Sequence, residues 1–300
     1  MKAVSLSKSK ENLYTIEQRG EEDMSKQQHL IALDLDGTLL TDEKTISDRT
    51  KRAVLKAKEE GHVVVIATGR PHRASIDYYY ELGLGTPMVN FNGALIHHPK
   101  DPQWDALHSP LPIRTAKSII HDCYELEVRN LLAEIKDDVY LDRHDEEVME
   151  LFHATGDTNP VTVGNLKHQL KEDPTSLLIY PHEHQIPSLR QGLEDNHAEM
   201  IEHRKWGAPY HVIEIVRKGL NKAVGLDKIS RYYHIPKDRI IAFGDEDNDL
   251  EMIDYAGVGV AMKNGIDELK SIAKYVTHSN MEDGIGSFLE DYLKLNTKAI

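Results

Sequence analysis

The chain has 300 residues, 40% of them hydrophobic and 29% charged, and a formal net charge of −14 at pH 7. That acidity argues against a general nucleic-acid or anionic-membrane binder, since both require a positive surface field. The length allows one large domain or two modest ones, and the single cysteine, Cys123, excludes an intramolecular disulfide and fits a reducing cytoplasm.

Residues 1–27 are rich in charge and show no hydrophobic period, so they read as a flexible extension. The apolar stretch AVSLS before Lys8 is too short for a signal-peptide core. No apolar run approaches the roughly 20 residues of a membrane span. A cytoplasmic location is expected.

From Leu30 onward β and α signals alternate. LIALDL reads as a buried strand, and Ile46 to Glu60 as a helix capped by Ser47, with apolar positions at Ala53, Val54 and Ala57 and a stop at Gly61. VVVIATG (63–69) is a second strand, followed by a helix from about Arg73 to Leu82. PMVNFNGALI supplies another strand and a turn at Asn92-Gly93. Strands apolar on both faces, alternating with helices, predict a parallel sheet covered on both sides.

Residues 111–214 differ, being more polar with shorter strand signals. Helices are expected at Ile113–Leu126 and His184–Asn196 and strands at TSLLIYP and HVIEIV, while 142–164 reads largely as loop or short helix. This segment reads as an α+β module inserted between a first core part, 28–110, and a second, 215–300. The α/β rhythm returns after Gly219, with a helix Asn221–Tyr233, the strand RIIAFGD, a helix Leu250–Tyr255, the strand GVGVAM and a last helix from Ile285. The histidines, including HHP (97–99) and HEH (182–184), lack metal spacing on a common element and read as surface residues. Cys123 reads as a small buried side chain on a helix.

Three apolar strands end in candidate chemistry: Asp34 and Asp36 after LIAL, Thr68 after VVVIA, and Asp245 after RIIAF. Open parallel sheets bind ligands beyond the carboxyl ends of their strands, so these residues are expected to share one crevice. Converging carboxylates repel and raise one another's pKa unless a cation lies among them. Oxygen-only donors suit a hard ion such as Mg²⁺, which points to phosphate chemistry. A calcium loop is excluded, because the glycine of DLDGT stands fourth and follows a strand. Thr68 can donate a hydroxyl hydrogen bond, Gly69 permits close backbone approach, and Asn248 can donate an amide hydrogen. Lys222, at a helix start behind Gly219, adds a positive charge; Lys218 is the alternative lysine.

These motifs resemble the haloacid dehalogenase-like superfamily of phosphohydrolases, over nearly the whole chain after the extension. DLDGT (34–38), the threonine of ATGR, the lysine of GLNK and GDEDND (244–249) match its four motifs. The inserted segment resembles the α+β cap of the Cof-like members, as do NFNGALI and the closing AMKNG, VTHSN and EDGIG stretches. The resemblance implies a Rossmann-like core with that cap inserted, and a Mg²⁺-dependent phosphatase of small phosphate esters. Asp34 would be the nucleophile and Asp36 the general acid and base. Mg²⁺ would be held by Asp34, the backbone carbonyl of Asp36, and Asp245, with Asp249 in support. Leu35 through its backbone N–H, with Thr68, Gly69, Lys222 and Asn248, would bind the phosphoryl oxygens. Sugar phosphates or phosphorylated cofactors are the expected substrates, and His144, Tyr180, Arg204 and Trp206 are cap candidates for specificity. A phosphomutase, or a low-turnover binding protein on the same fold, are the rival readings.

Overall fold

The computed structural model describes residues 27–149, 161–205 and 211–296. The extension expected over 1–27 lies outside them except for its last residue, as does Trp206. The first part of the chain forms β1 (Leu30–Leu33), α1 (Asp48–Glu59), β2 (Val63–Ile66), α2 (Ile76–Glu81), β3 (Met88–Asn90), β4 (Leu95–His97) and β5 (Leu107–His108). The middle forms α3 (Ile113–Glu125), β6 (Asn130–Ile135), β7 (Asp138–Leu141), β8 (Val161–Val163), α4 (Leu166–Gln169), β9 (Ser176–Tyr180), α5 (Ile186–His197), β10 (Ile201–Lys205) and β11 (Ile213–Arg217). The last part forms α6 (Lys222–Tyr233), β12 (Ile240–Gly244), α7 (Leu250–Tyr255), β13 (Val258–Ala261), α8 (Asp267–Ile272), β14 (Tyr275–Val276) and α9 (Gly284–Tyr292).

The core sheet is parallel, in the order β14-β13-β12-β1-β2. Side chains of β1 alternate between its two faces. Ile31 and Leu33 pack with Val54 of α1 and Leu289 of α9, whereas Leu30 and Ala32 pack with Leu226 of α6 and Met252 of α7. Helices therefore cover both faces, and burying each such Leu or Ile is worth about 1.5–3 kcal/mol. The Ser47 hydroxyl accepts the Thr50 backbone N–H at 3.3 Å, which caps α1 as its sequence signals.

The helix expected over Arg73–Leu82 is broken into a 3₁₀ turn, His72–Ala74, and α2. The Ser75 hydroxyl donates to the carbonyls of Pro71 and His72 at 2.9 and 3.1 Å, a local pairing that competes with a continuous helix. The strand and turn expected at 87–96 belong to a small antiparallel sheet, β3-β4-β5.

The inserted segment forms a second sheet, in the order β10-β11-β9-β6-β7-β8, with α3 and α5 on one face. Its last strand runs to Arg217, past the boundary expected at 214. Only β9 and β11 were legible as strands there. The sequences NLLAEI of β6 and IEHRK of β10 are poor in β-branched and aromatic residues, and pairing with neighbouring strands overrides that preference. The histidines are also not all superficial, since His29 and His62 are buried. Cys123 is buried on α3, and burial pushes its thiol up to about 12. Among the described residues no helix is long and apolar enough to cross a membrane.

Candidate active site

Strand register sets the site. In the parallel ladder Leu33 lies beside Phe243 on one side and Ile66 on the other. Asp34, Asp245 and Thr68 follow these residues by one or two positions, so all three emerge at the same end of the sheet. Lys222 opens α6 close by, and the Asn221 side chain caps that helix by accepting the Val224 N–H at 3.1 Å.

The Lys222 side chain is fully buried, and its Nζ lies 2.6 Å from Asp34 Oδ1 and 2.7 Å from Asp249 Oδ1. Burial alone would lower the Lys222 pKa, but the charges of Asp249 and Asp34 outweigh it and raise it. Lys218 instead donates to the Ala198 carbonyl at 2.7 Å, away from the cluster. Asp249 also accepts the Asp245 and Glu246 backbone N–H groups at 2.9 and 3.2 Å, which fixes the turn after β12.

Asp34, Asp245 and Asp249 are all buried and bring ligand oxygens within 4.8 Å of one another. Burial, and then the charges of Asp249 and Asp245, hold the Asp34 carboxyl well above the usual range despite Lys222. Burial and the Asp249 charge likewise raise Asp245 to about 7. Crowded hard-oxygen donors of this kind suit a divalent cation. The backbone leaves space for them: Gly37 has φ +73°, and a Cβ there would lie 2.1 Å from Asp245 Oδ2. The Thr38 hydroxyl donates to the other Asp245 oxygen at 2.8 Å. These residues therefore fit Mg²⁺, with Asp34 and Asp245 as candidate ligands and Asp249 engaged by Lys222; the backbone carbonyl of Asp36 is a further ligand that the family resemblance implies.

Gly37→Ala tests this packing. The methyl group would displace Asp245 and strain the backbone by about 1–2 kcal/mol. The expected result is Mg²⁺ binding weakened at least about tenfold in a direct titration. Unchanged binding would show that Asp245 is free to move.

Asp36 lies apart from the cluster. Its side chain is 45% exposed and bonded by Arg70 through Nε and Nη2, both at 2.6 Å, and by Lys44 at 2.7 Å. Burial opposes ionisation here, but the Arg70 and Lys44 contacts overcome it and bring the carboxyl to about 2. Thr68 is buried, and its Oγ1 accepts the Arg70 N–H at 3.1 Å. Gly69 faces the side chains of Asn92 and Asn248, and Asn248 donates to Asn92 at 3.1 Å. Leu35 follows Asp34 and is buried.

Of the cap candidates, Arg204 reaches Asp247 at 3.2 Å and Glu251 at 3.8 Å, across the site's edge. The buried Tyr180 hydroxyl has no hydrogen-bond partner among the described residues, and His144 is exposed.

Sequence reasoning missed the grip on Asp36 and the role of Asn92. Asn92 sits at φ 51°, where a left-handed backbone turns its side chain toward Asn248. The NG dipeptide signalled only a turn. Asn264 and Asn280, from the closing stretches, donate to the carbonyls of Gly37 and Leu40 at 2.8 and 2.9 Å and support the loop after β1.

A profile of the haloacid dehalogenase-like hydrolases matches residues 31–289. The 5-amino-6-(5-phospho-D-ribitylamino)uracil phosphatase of Bacillus subtilis is 53% identical over 272 residues, covering 91% of this chain and 100% of that protein. The pyridoxal phosphate phosphatase of Escherichia coli is 29% identical, covering 88% and 98%. A crystal structure from Thermotoga maritima superposes with a TM-score of 0.78 at 28% identity, covering 88% and 97%. With an acid-tipped parallel core and an inserted α+β cap, this chain belongs to the haloacid dehalogenase-like hydrolases.

Proposed function

We propose that this haloacid dehalogenase-like phosphatase uses Asp34 as a nucleophile, with Mg²⁺ as cofactor and a phosphorylated ribitylamino-pyrimidine as substrate. The observation that carries the mechanism is the buried cluster in which Lys222 joins Asp34 to Asp249 beside Asp245. A carboxylate attacks a phosphate dianion poorly, so positive charge around it must supply much of the rate. Bound Mg²⁺ would neutralise the acidic groups and draw the phosphate's negative charge to the site.

An Asp34 carboxylate oxygen attacks phosphorus and the bond to the leaving oxygen breaks. For Asp36 to pass a proton to that oxygen, substrate binding must first release it from Arg70 and Lys44, which hold it ionised here, so that it can bind a proton. Asp36 then takes a proton from water, whose oxygen attacks phosphorus and restores Asp34. Lys222, the Thr68 hydroxyl, the Asn248 amide and the backbone N–H groups of Leu35 and Gly69 hold the phosphoryl oxygens. The cap, 111–214 in the sequence reading, closes over this end of the sheet and excludes water. A cytoplasmic site of action suits such a substrate.

The substrate assignment is supported by the 53% identical relative, named for its action on 5-amino-6-(5-phospho-D-ribitylamino)uracil. A panel of phosphate esters tests it. That compound is expected to give the highest kcat/KM, with rates falling on the order of 10²–10³-fold in EDTA and recovering with Mg²⁺. Equal rates in EDTA would contradict the mechanism, and a clear preference for another ester would contradict the substrate.

A further inference from the structure

Three consecutive residues between β3 and β4 have left-handed backbones: Phe91 at φ 49°, Asn92 at φ 51° and Gly93 at φ 97°. Only the glycine adopts that region freely, and an aromatic residue there is a steric outlier. Such a conformation persists where its surroundings over-determine it.

The surroundings of this turn do so on two sides. Its backbone is tied to the loop after β2, the Phe91 N–H donating to the Arg70 carbonyl at 3.3 Å and the Asn92 N–H to the Thr68 carbonyl at 3.2 Å. The buried Phe91 ring packs with Leu220, two residues before Lys222. A Cβ on Gly93 would lie 2.3 Å from the Asn221 carbonyl oxygen, so only glycine lets the turn come this close to the start of α6. Further along, α6 lies tight on β3, since a Cβ on Gly225 would meet Val89 at 2.3 Å. The turn is thus braced between the loop that carries Thr68 and Gly69 and the helix that carries Lys222.

From that brace the buried Asn92 side chain reaches Asn248. Asn92 Oδ1 accepts from Asn248 Nδ2 at 3.1 Å. The paired amides lie over Gly69, where a Cβ would stand 3.2 Å from the Asn92 amide and 3.5 Å from the Asn248 nitrogen. An asparagine amide has nearly the same shape either way round, with an acceptor on one side and two donor hydrogens on the other. Accepting one of those hydrogens fixes which way Asn248 points and leaves the second for a phosphoryl oxygen.

Resting on the reading of Asn248 as a phosphoryl-binding donor, we propose that Asn92 is a positioning residue for phosphoryl transfer. Held by the strained turn, its side-chain oxygen orients the Asn248 amide so that the nitrogen, and not the oxygen, faces the phosphoryl group. An oxygen presented there would repel the phosphate dianion. The left-handed backbone aims the Asn92 side chain across the crevice, which accounts for an asparagine where a glycine would sit without strain.

Asn92→Gly separates this role from a structural one, because glycine takes the left-handed backbone freely and only the side chain is lost. The variant is expected to melt close to the wild type. The measurement is kcat and KM on p-nitrophenyl phosphate, with the full chain at saturating Mg²⁺, for Asn92→Gly, Asn248→Ala and the double variant. A misplaced group can cost about 10²-fold. Asn92→Gly is therefore expected to lower kcat by about 10–10²-fold, with KM changed by less than about threefold. In the Asn248→Ala background the same change should cost less than about twofold, because the side chain it orients is gone. An unchanged kcat in Asn92→Gly beside an impaired Asn248→Ala, a loss confined to KM, or additive losses in the double variant would overturn the positioning role alone. An unimpaired Asn248→Ala would overturn the donor reading, and the positioning role with it.

Discussion

Asp34→Asn is expected to reduce kcat on any phosphate ester by about 10⁴-fold or more, the scale seen when a covalent nucleophile is removed. The amide keeps the shape of the side chain but cannot form the acyl phosphate. The same change should not unfold the protein. Burial and the nearby Asp249 and Asp245 charges raise the Asp34 pKa despite Lys222, so in the folded state the charged carboxylate is disfavoured. A carboxyl raised in this way weakens folding at neutral pH, where an unfolded aspartate is ionised, and the penalty fades as pH falls. Lys222 keeps its buried 2.7 Å pairing with Asp249 when Asp34 becomes an amide, so metal-free Asp34→Asn should melt at or above the wild-type temperature while being inactive. This is a trade of stability for function at the reacting group. A strongly destabilised variant would show that Asp34 is chiefly structural.

Lys222→Met should act in the opposite direction on stability and the same direction on rate. The ammonium lies between Asp34 and Asp249, both buried. Without it two carboxylates remain in a low-dielectric interior, a change that typically costs about 3–5 kcal/mol. At about 2–4 °C per kcal/mol for a chain of this size, the melting temperature should fall on the order of 10 °C. Mg²⁺ should restore part of that loss, because a cation bound only by the folded state stabilises it. Activity should remain at least about 10²-fold down even with metal present, since the positive charge proposed to hold the phosphoryl oxygens is also gone. Melting scans with and without Mg²⁺, read beside initial rates, check both halves. A variant that melts like the wild type would contradict the buried ion-pair arrangement.

The core and its charged end were legible because each feature has a local signature. Short β-branched runs such as VVVI, bounded by turn signals and alternating with helices, read as buried strands of a parallel sheet, and an aspartate following such a run is conspicuous. Lys222 could be preferred over Lys218 because it opens a helix, and the Asn221 cap places it there. The cap was less legible, because β6 and β10 are held by cross-strand pairing rather than by their own composition. The grip on Asp36 left no trace in the sequence. Lys44 arrives from a turn at φ 58° and Arg70 from the loop after β2, and neither spacing marks a partner for Asp36. Asn92 was hidden for a similar reason, since a turn dipeptide does not reveal where its side chain points.

Acid quenching of the enzyme during turnover of a phosphate ester with Mg²⁺, followed by peptide mass spectrometry, decides whether Asp34 bonds to phosphorus. A phosphoryl group on the peptide bearing Asp34, absent in EDTA and in Asp34→Asn, is the expected result. Steady release of phosphate with that peptide unmodified at every quench time, or a label on another residue, would contradict it.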